Sequence, residues 1–245
     1  MARNRSAGRA MAAGTRKAGD AMTGVSTPHG SAKDRIPMNQ RMIPVHGIIL
    51  AAGRSARMGR DKLSLPFRGL PLLQHVVNAA RGSGLARVSV VLQRDSGLVD
   101  LVDLDGCETV LAPPSADQAA SFRAGLRAVM DDAAGCMVLH GDQPLLAGRT
   151  IDHLLWAFSQ QPDYMIAPVQ EDLRGAPVIV PRAWFPKALE VAGDAVVRTL
   201  VAMPGLTLRL VKIHEVGPFM GIDTELEYRR LLARHEVRPT AGSAA

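Results

Sequence analysis

A chain of 245 residues, 47% hydrophobic and 21% charged, has enough apolar material for one α/β domain of ordinary size, and it has no apolar run long enough to span a bilayer. The formal charge of +6 is carried by residues 1–42, where eight Arg and Lys face only Asp20 and Asp34; the remainder holds 21 basic and 21 acidic residues. With aromatics at 4% and a neutral folded part, a nucleic-acid surface is excluded, since such binders carry basic patches on the domain itself, often beside stacking aromatics.

Residues 1–42 are rich in Ala, Gly, Arg, Ser and Met, without helical or strand period and without the apolar core of a secretory signal. They read as a disordered basic extension; a transit peptide, or a true start at Met38 or Met42, are the other readings. The spacing then predicts a strand at 45–50, a glycine loop, a helix over 71–80 ending at Gly82, a strand at 88–92 and a short one at 110–111. A helix follows over 118–130 with Phe122, Leu126 and Val129 on one face, then a strand at 137–140 and a helix at 151–158. Strands at 164–169 and 178–180, a helix at 195–203, a strand at 206–211 and a helix at 224–233 complete a folded domain spanning 43–236. Residues 237–245 are a small, polar tail. Strands separated by helices predict a mostly parallel sheet covered on both faces. Cys107 and Cys136 have no CxxC partner, which excludes a disulfide framework or a zinc site and fits a reducing, cytoplasmic setting.

The chemistry concentrates in three segments. Directly after the first strand runs Leu50-Ala-Ala-Gly-Arg-Ser-Ala-Arg-Met-Gly-Arg-Asp-Lys62. Gly53 and Gly59 allow sharp turns and close approach of backbone N–H groups, and Arg54, Arg57, Arg60 and Lys62 add positive charge. At the carboxyl edge of a parallel sheet, amides and cations together suit a polyphosphate, although the loop alone is equally a basic surface turn. It is not a Walker A loop, because the glycine spacing is wrong and Leu63 follows Lys62, nor a dinucleotide fingerprint, because position 55 is Ser. Second, His140-Gly-Asp142-Gln-Pro144 ends a predicted strand, where Asp142 is either a carboxylate in the same crevice or a turn or helix-cap residue. Third, Gly221-Ile-Asp223-Thr224 precedes the last helix, and Asp223 is a candidate cap there.

The string LAAGxSxRMGxxK, followed by Leu65-Pro66 and Gly69-Leu-Pro-Leu-Leu73, resembles the MobA-like NTP-transferase family and, in its LAAG form, the molybdenum cofactor cytidylyltransferase branch. The resemblance covers about residues 45–235 and implies a Rossmann-like three-layer α/β sandwich with a mostly parallel sheet, the nucleotide-diphospho-sugar transferase fold. It implies that Leu50, Ala51, Ala52 and Gly53 line the base and ribose, that Ser55 and Gly59 belong to the nucleotide loop, and that Arg57 and Lys62 neutralise the phosphates. GDQP resembles the family's metal-binding GDxP and Gly221-Ile-Asp-Thr its acidic D-I-D-T segment. Asp142 and Asp223 are thereby implied as ligands of Mg2+, with Gly in place of Asp at position 221.

Gln118-Ala-Ala-Ser121-Phe-Arg-Ala-Gly-Leu126 is similar to the family's QxxSLRAGL, which implies nucleotide contacts from Gln118 and Ser121. These two lie one helical turn apart, so both can face a crevice. Gly175 and Pro177, in Arg174-Gly-Ala-Pro177, and Asp194 and Arg198, in Gly193-Asp-Ala-Val-Val-Arg198, are implied acceptor contacts. The latter segment departs from GDxGAR by carrying Val196-Val197, and Asp194 with Arg198 is alternatively a surface ion pair. His75, His153 and His214 are scattered, His140 reads as a hydrogen-bonded structural residue, and Met58 and Trp184 read as packing.

The expected activity is transfer of CMP from CTP to a molybdopterin-type cofactor with release of pyrophosphate, possession of a molybdenum hydroxylase partner being an attendant expectation. A related transferase using GTP or another NTP, with molybdopterin or another phosphorylated acceptor, is the alternative. A non-catalytic cofactor chaperone is the alternative of another class. Neither nucleic acid nor membrane is an expected partner.

Overall fold

The computed structural model of the chain describes residues 43–53, 61–114 and 117–235. The expectations for residues 1–42, Ser55, Arg57, Gly59 and the tail at 237–245 lie outside these residues. Among the described residues ten strands form in chain order: β1 (Val45–Leu50), β2 (Pro66–Phe67), β3 (Leu70–Pro71), β4 (Arg87–Leu92), β5 (Glu108–Leu111), β6 (Gly135–His140), β7 (Met165–Gln170), β8 (Leu173–Arg174), β9 (Val178–Pro181) and β10 (Leu208–Lys212). The helices are α1 (Leu72–Arg81), α2 (Leu98–Leu101), α3 (Gln118–Val129), α4 (Gly148–Gln160), α5 (Phe185–Ala188), α6 (Val196–Val201) and α7 (Glu225–His235).

The main sheet runs β10-β7-β9-β6-β1-β4-β5, with β8 added to β7, and β2 and β3 pair as a separate hairpin. β1, β4, β5 and β6 are mutually parallel, as are β7 and β10, while β9 runs antiparallel between β6 and β7. β1 is buried along all six residues and β6 along five, as expected of central strands covered on both faces. One core layer packs α1 and α4 against the sheet through Leu73, Val76, Val77, Ile151, Leu154 and Phe158. The other packs α3 and α6 through Phe122, Leu126, Val129, Val196 and Leu200. The result is the three-layer sandwich expected from the sequence.

α3 lies unusually close to the sheet. A Cβ at Gly125 would stand 2.5 Å from Ile48 Cγ2 and 2.9 Å from Val91 Cγ2, so only glycine lets the helix settle there. The hairpin of β2 and β3 turns through Arg68 and Gly69, both at positive φ, and leads straight into α1. With Leu65, Phe67 and Leu72 it forms a third apolar cluster that receives Ile222, Tyr228 and Leu231 of the C-terminal segment. The Tyr228 hydroxyl donates to the Pro66 carbonyl at 2.6 Å, which satisfies its polar end. This cluster carries the start of α7 back to the residues that follow β1.

Candidate active site

β1 and β6 pair in parallel with Leu50 opposite His140, so the segments following both leave the same edge of the sheet. A backbone bond from Gly141 N–H to Leu50 O at 3.1 Å holds these exits together, and Ala51 N–H, donating to Val91 O at 3.0 Å, ties the end of β1 to β4 on its other side. Gln93 donates through Nε2 to the Ala52 carbonyl at 2.8 Å and fixes the start of the loop. Leu50, Ala51 and Ala52 are buried in the core clusters, so they offer a ligand backbone rather than side chain; Gly53 is exposed.

At the other end of that loop Asp61 caps a single 3-10 turn, Lys62–Ser64, by accepting from Leu63 N–H at 3.0 Å, and Leu63 and Leu65 anchor the turn in the interior. Lys62 is thereby held with its ammonium 2.5 Å from Asp142 Oδ2 and 2.7 Å from Asp223 Oδ1. Burial opposes the Lys62 charge, but the Asp142 carboxylate and the hydrogen bonds to both acids outweigh it and raise the lysine pKa. Side-chain exposure is 14% for Lys62 and 16% for Asp142 but 56% for Asp223, so the Asp142 contact is the desolvated one.

Local capping explains why Asp223 is available. The helix-cap reading of this residue is corrected by the structure: Thr224 and Glu227 form a reciprocal capping box at the start of α7. Glu227 Oε2 accepts from the N–H groups of Asp223 and Thr224, both at 2.8 Å, and Thr224 Oγ1 accepts from Glu227 N–H at 3.2 Å. With Thr224 at the cap, the Asp223 carboxylate is turned toward Lys62. Likewise Asp142 caps no helix, because α4 begins six residues later at Gly148 behind Ala147. The Asp142 carbonyl instead accepts from Ile222 N–H at 3.0 Å, which ties the Gly221–Asp223 segment to the end of β6.

Asp142 and Asp223 open on a crevice of about 800 Å3 that Gln118, His140, Gly175, Asp194 and Arg198 also line. Ser121 does not share it. Its hydroxyl is buried and donates to the Asp117 carbonyl at 3.1 Å, so the helical spacing that seemed to turn both polar residues outward turns only Gln118 there. Asp194 is not an ion-pair partner of Arg198: it precedes α6 and accepts from Gln118 N–H at 3.0 Å, while Gln118 Oε1 accepts from Val196 N–H at 3.2 Å. These bonds, with Asp117 capping α3 at Ala120 N–H, splice the 193–196 segment onto the start of α3.

Gly175 is required by contact rather than by torsion. A Cβ there would meet the Pro218 carbonyl at 2.3 Å and the Phe219 ring at 2.8 Å. Ala176 N–H donates to that same carbonyl at 2.9 Å, and Pro177, buried behind a cis peptide bond, shapes the turn without lining the crevice.

Sequence reasoning did not single out the apolar wall of the crevice, Leu173, Val197, Val201 and Phe219, or its second arginine, Arg174, as contacts. Their signal is tertiary, because they come from three separate segments, β8, α6 and the turn at Phe219. His140, beside Asp142, has its pKa lowered chiefly by burial, with Asp142 pulling it up and Lys62 pushing it down. Among the described residues no three His, Cys, Asp or Glu side chains form a metal cluster, and no helix is long and apolar enough to cross a membrane.

The donor set nevertheless suits a hard divalent ion. The two carboxylate oxygens that Lys62 bridges are separated by no more than their two contact distances laid end to end, about 5.2 Å. Mg2+ is commonly held by only one or two carboxylates, with substrate phosphates and water completing its shell.

Comparison with known proteins agrees with this architecture. The crystal structure of Rv0371c from Mycobacterium tuberculosis, in complex with manganese, superposes with a TM-score of 0.68 at 27% identity, over 78% of this chain and 98% of that one. The bifunctional protein GlmU of Rubrobacter xylanophilus is 31% identical over 114 residues, 46% of this chain and 24% of that protein. The molybdenum cofactor guanylyltransferase of Xanthomonas euvesicatoria pv. vesicatoria is 33% identical over 118 residues, 46% of this chain and 54% of its own length. The chain thus spans from a quarter to about half the length of these curated relatives. The family model of the MobA-like NTP transferase domain matches residues 47–213, through most of the sheet and the loop ending in Lys62. The chain belongs to the MobA-like NTP transferase domain family.

Proposed function

We propose that the protein is a Mg2+-dependent nucleotidyltransferase that moves CMP from CTP to a molybdopterin-type cofactor and releases pyrophosphate. The observation that carries this reading is the convergence of Lys62, Asp142 and Asp223 at one edge of a crevice large enough for two substrates. The family membership supports nucleotidyl transfer, and the LAAG and GDQP strings favour the cytidylyl branch and this acceptor.

In this reading, amides of Ala51–Gly53 and the cations Arg57 and Lys62 hold the triphosphate, with Ser55 and Gly59 in the same loop. Asp142 and Asp223 hold Mg2+, which when bound neutralises phosphate charge and stabilises the departing pyrophosphate. Gln118 orients the nucleoside from the start of α3. The Asp194 hydrogen bond to that helix keeps it in register with the acceptor wall. Gly175 lets the acceptor side of the crevice close on Phe219, and Arg198 takes an acceptor anion, joined by Arg174. The acceptor phosphate is already an anionic nucleophile, so no residue is assigned as general base, and His140 remains a neutral neighbour. A molybdenum hydroxylase is the proposed recipient of the product, and the cytoplasm the proposed compartment.

The likeness to a guanylyltransferase favours a second reading, GTP in place of CTP. Pyrophosphate release measured with CTP, GTP and ATP, each with and without molybdopterin and Mg2+, tests both. Release with CTP only when molybdopterin and Mg2+ are present supports the first reading. Preference for GTP moves the protein to the second, and no release with any nucleotide refutes both in favour of a cofactor chaperone.

A further inference from the structure

Gln143 follows Asp142 and lines the crevice, but its side chain is almost wholly buried, the residue being 5% exposed. Its Nε2 donates to the Pro218 carbonyl at 3.1 Å. A carbonyl can only accept, so the amide nitrogen must face Pro218 and Oε1 must point away from it. Oε1 is buried and accepts no hydrogen bond among the described residues. A buried amide satisfied on one side only is costly to folding, and an apolar side chain of the same length avoids that cost. Stability therefore does not explain a glutamine at this position.

Three segments meet at the Pro218 carbonyl. Besides the Gln143 amide it accepts from Ala176 N–H at 2.9 Å, and it is the atom that a Cβ at Gly175 would strike. Pro218 belongs to the single 3-10 turn Gly217–Phe219, which packs backbone against backbone on the segment after β6: a Cβ at Gly217 would stand 2.3 Å from the Leu145 carbonyl oxygen. The turn ends in Phe219, and Gly175, Ala176 and Phe219 all line the crevice. We infer that Gln143 is a positioning residue for the acceptor: its amide anchors the Gly217–Phe219 turn, and through it residues 175 and 176, at a fixed offset from Asp142. The inference rests on the nucleotidyltransfer reading, in which Asp142 holds the metal and this side of the crevice receives the acceptor. The nucleotide contacts of that reading, Ala51–Gly53 and Gln118, come from other elements, so loss of the anchor should reach the acceptor and spare the nucleotide. Transfer is sensitive to such placement, since a misplacement of about 1 Å can cost roughly a hundredfold in rate.

Gln143→Met tests the assignment, because it keeps the length of the side chain and removes both polar atoms, while Ala176 N–H still satisfies the Pro218 carbonyl. The full chain and the variant are compared in melting temperature, in amide hydrogen exchange, and in pyrophosphate release with CTP and molybdopterin varied in turn. The melting temperature should be equal or higher in the variant. The Ala176 and Phe219 amides should exchange at least about tenfold faster, with those of β1 and β6 unchanged. The KM for molybdopterin should rise at least about tenfold and the KM for CTP stay within about twofold. A lower melting temperature overturns the inference, since it marks an ordinary structural contact. Unchanged exchange at Ala176 and Phe219, an unchanged KM for molybdopterin, or an equal rise in both KM values overturns it as well. With an active parent protein those results sink this inference alone. If the parent releases no pyrophosphate with any nucleotide, the reaction and the acceptor role fall together, while the exchange rates still decide the anchoring.

Discussion

Replacing Lys62 with Met keeps the length of the side chain and removes the charge that bridges Asp142 and Asp223. The Asp142 contact is a charge-assisted hydrogen bond between two largely buried groups, of a kind that contributes about 1.5–3 kcal/mol. The Asp223 contact is more than half exposed on the acid side, and such pairs contribute about 0.2–1 kcal/mol. Relief of the lysine's own desolvation offsets part of this, so K62M should cost about 1–3 kcal/mol. For a domain of this size that is a fall of roughly 2–12 °C in melting temperature.

The decisive measurement is a double-mutant cycle of K62M, D142N and K62M/D142N by urea denaturation without divalent metal, which isolates the pairwise interaction from other effects of each substitution. The expected coupling is about 1–3 kcal/mol. Mg2+ or Mn2+ should then stabilise K62M more than the parent protein, because an added cation can occupy the position the ammonium vacates. A coupling below about 0.5 kcal/mol, within the range of independent sites, would refute the bridge as the organising contact of the site.

Three further outcomes follow from the same structure. Gly175→Ala drives a methyl into the Pro218 carbonyl and the Phe219 ring, so it should lose about 1–3 kcal/mol in denaturant unfolding, where a loss below about 0.5 kcal/mol would show that the contact yields freely. Thr224→Ala removes the capping box and should cost about 1 kcal/mol, with Glu227→Ala costing a similar amount and the double variant less than the sum. His46 is buried, and burial lowers its pKa despite the Asp132 carboxylate nearby. The unfolded chain therefore takes up the proton first, so stability should decline as pH falls below about 6.5. His46→Gln should flatten that part of the stability profile, and an unchanged slope would remove His46 as its source.

Periodicity and local composition were sufficient for the elements that bury whole faces. β1 and β6 announce themselves as continuous apolar runs, and α1, α3 and α4 by their apolar stripes, because burial selects side chains at every position that faces the core. The two-residue strands β2, β3 and β8 and the single turns α2 and α5 escaped, since so few residues carry no period. The antiparallel direction of β9 escaped as well. A run such as Val178–Pro181 is apolar on both faces whichever way it points, and only its partners β6 and β7 settle the direction.

The candidate site divides in the same way. Asp142 and Asp223 stand out in sequence through short motifs, yet each has an equally good local role as a cap until the fold assigns capping to Thr224 and begins α4 at Gly148. A T-x-x-E pattern at Thr224 and Glu227 already contained half of that answer, because a capping box is a local device. What sequence alone determined was which residues had chemistry to offer. That Lys62, Asp142 and Asp223 meet, although 80 and 161 positions separate the lysine from the two acids, was decided only by the parallel pairing of β1 with β6 and by the apolar cluster that returns α7. Contacts between segments so distant depend on the packing of the whole core, and no window of sequence contains that information.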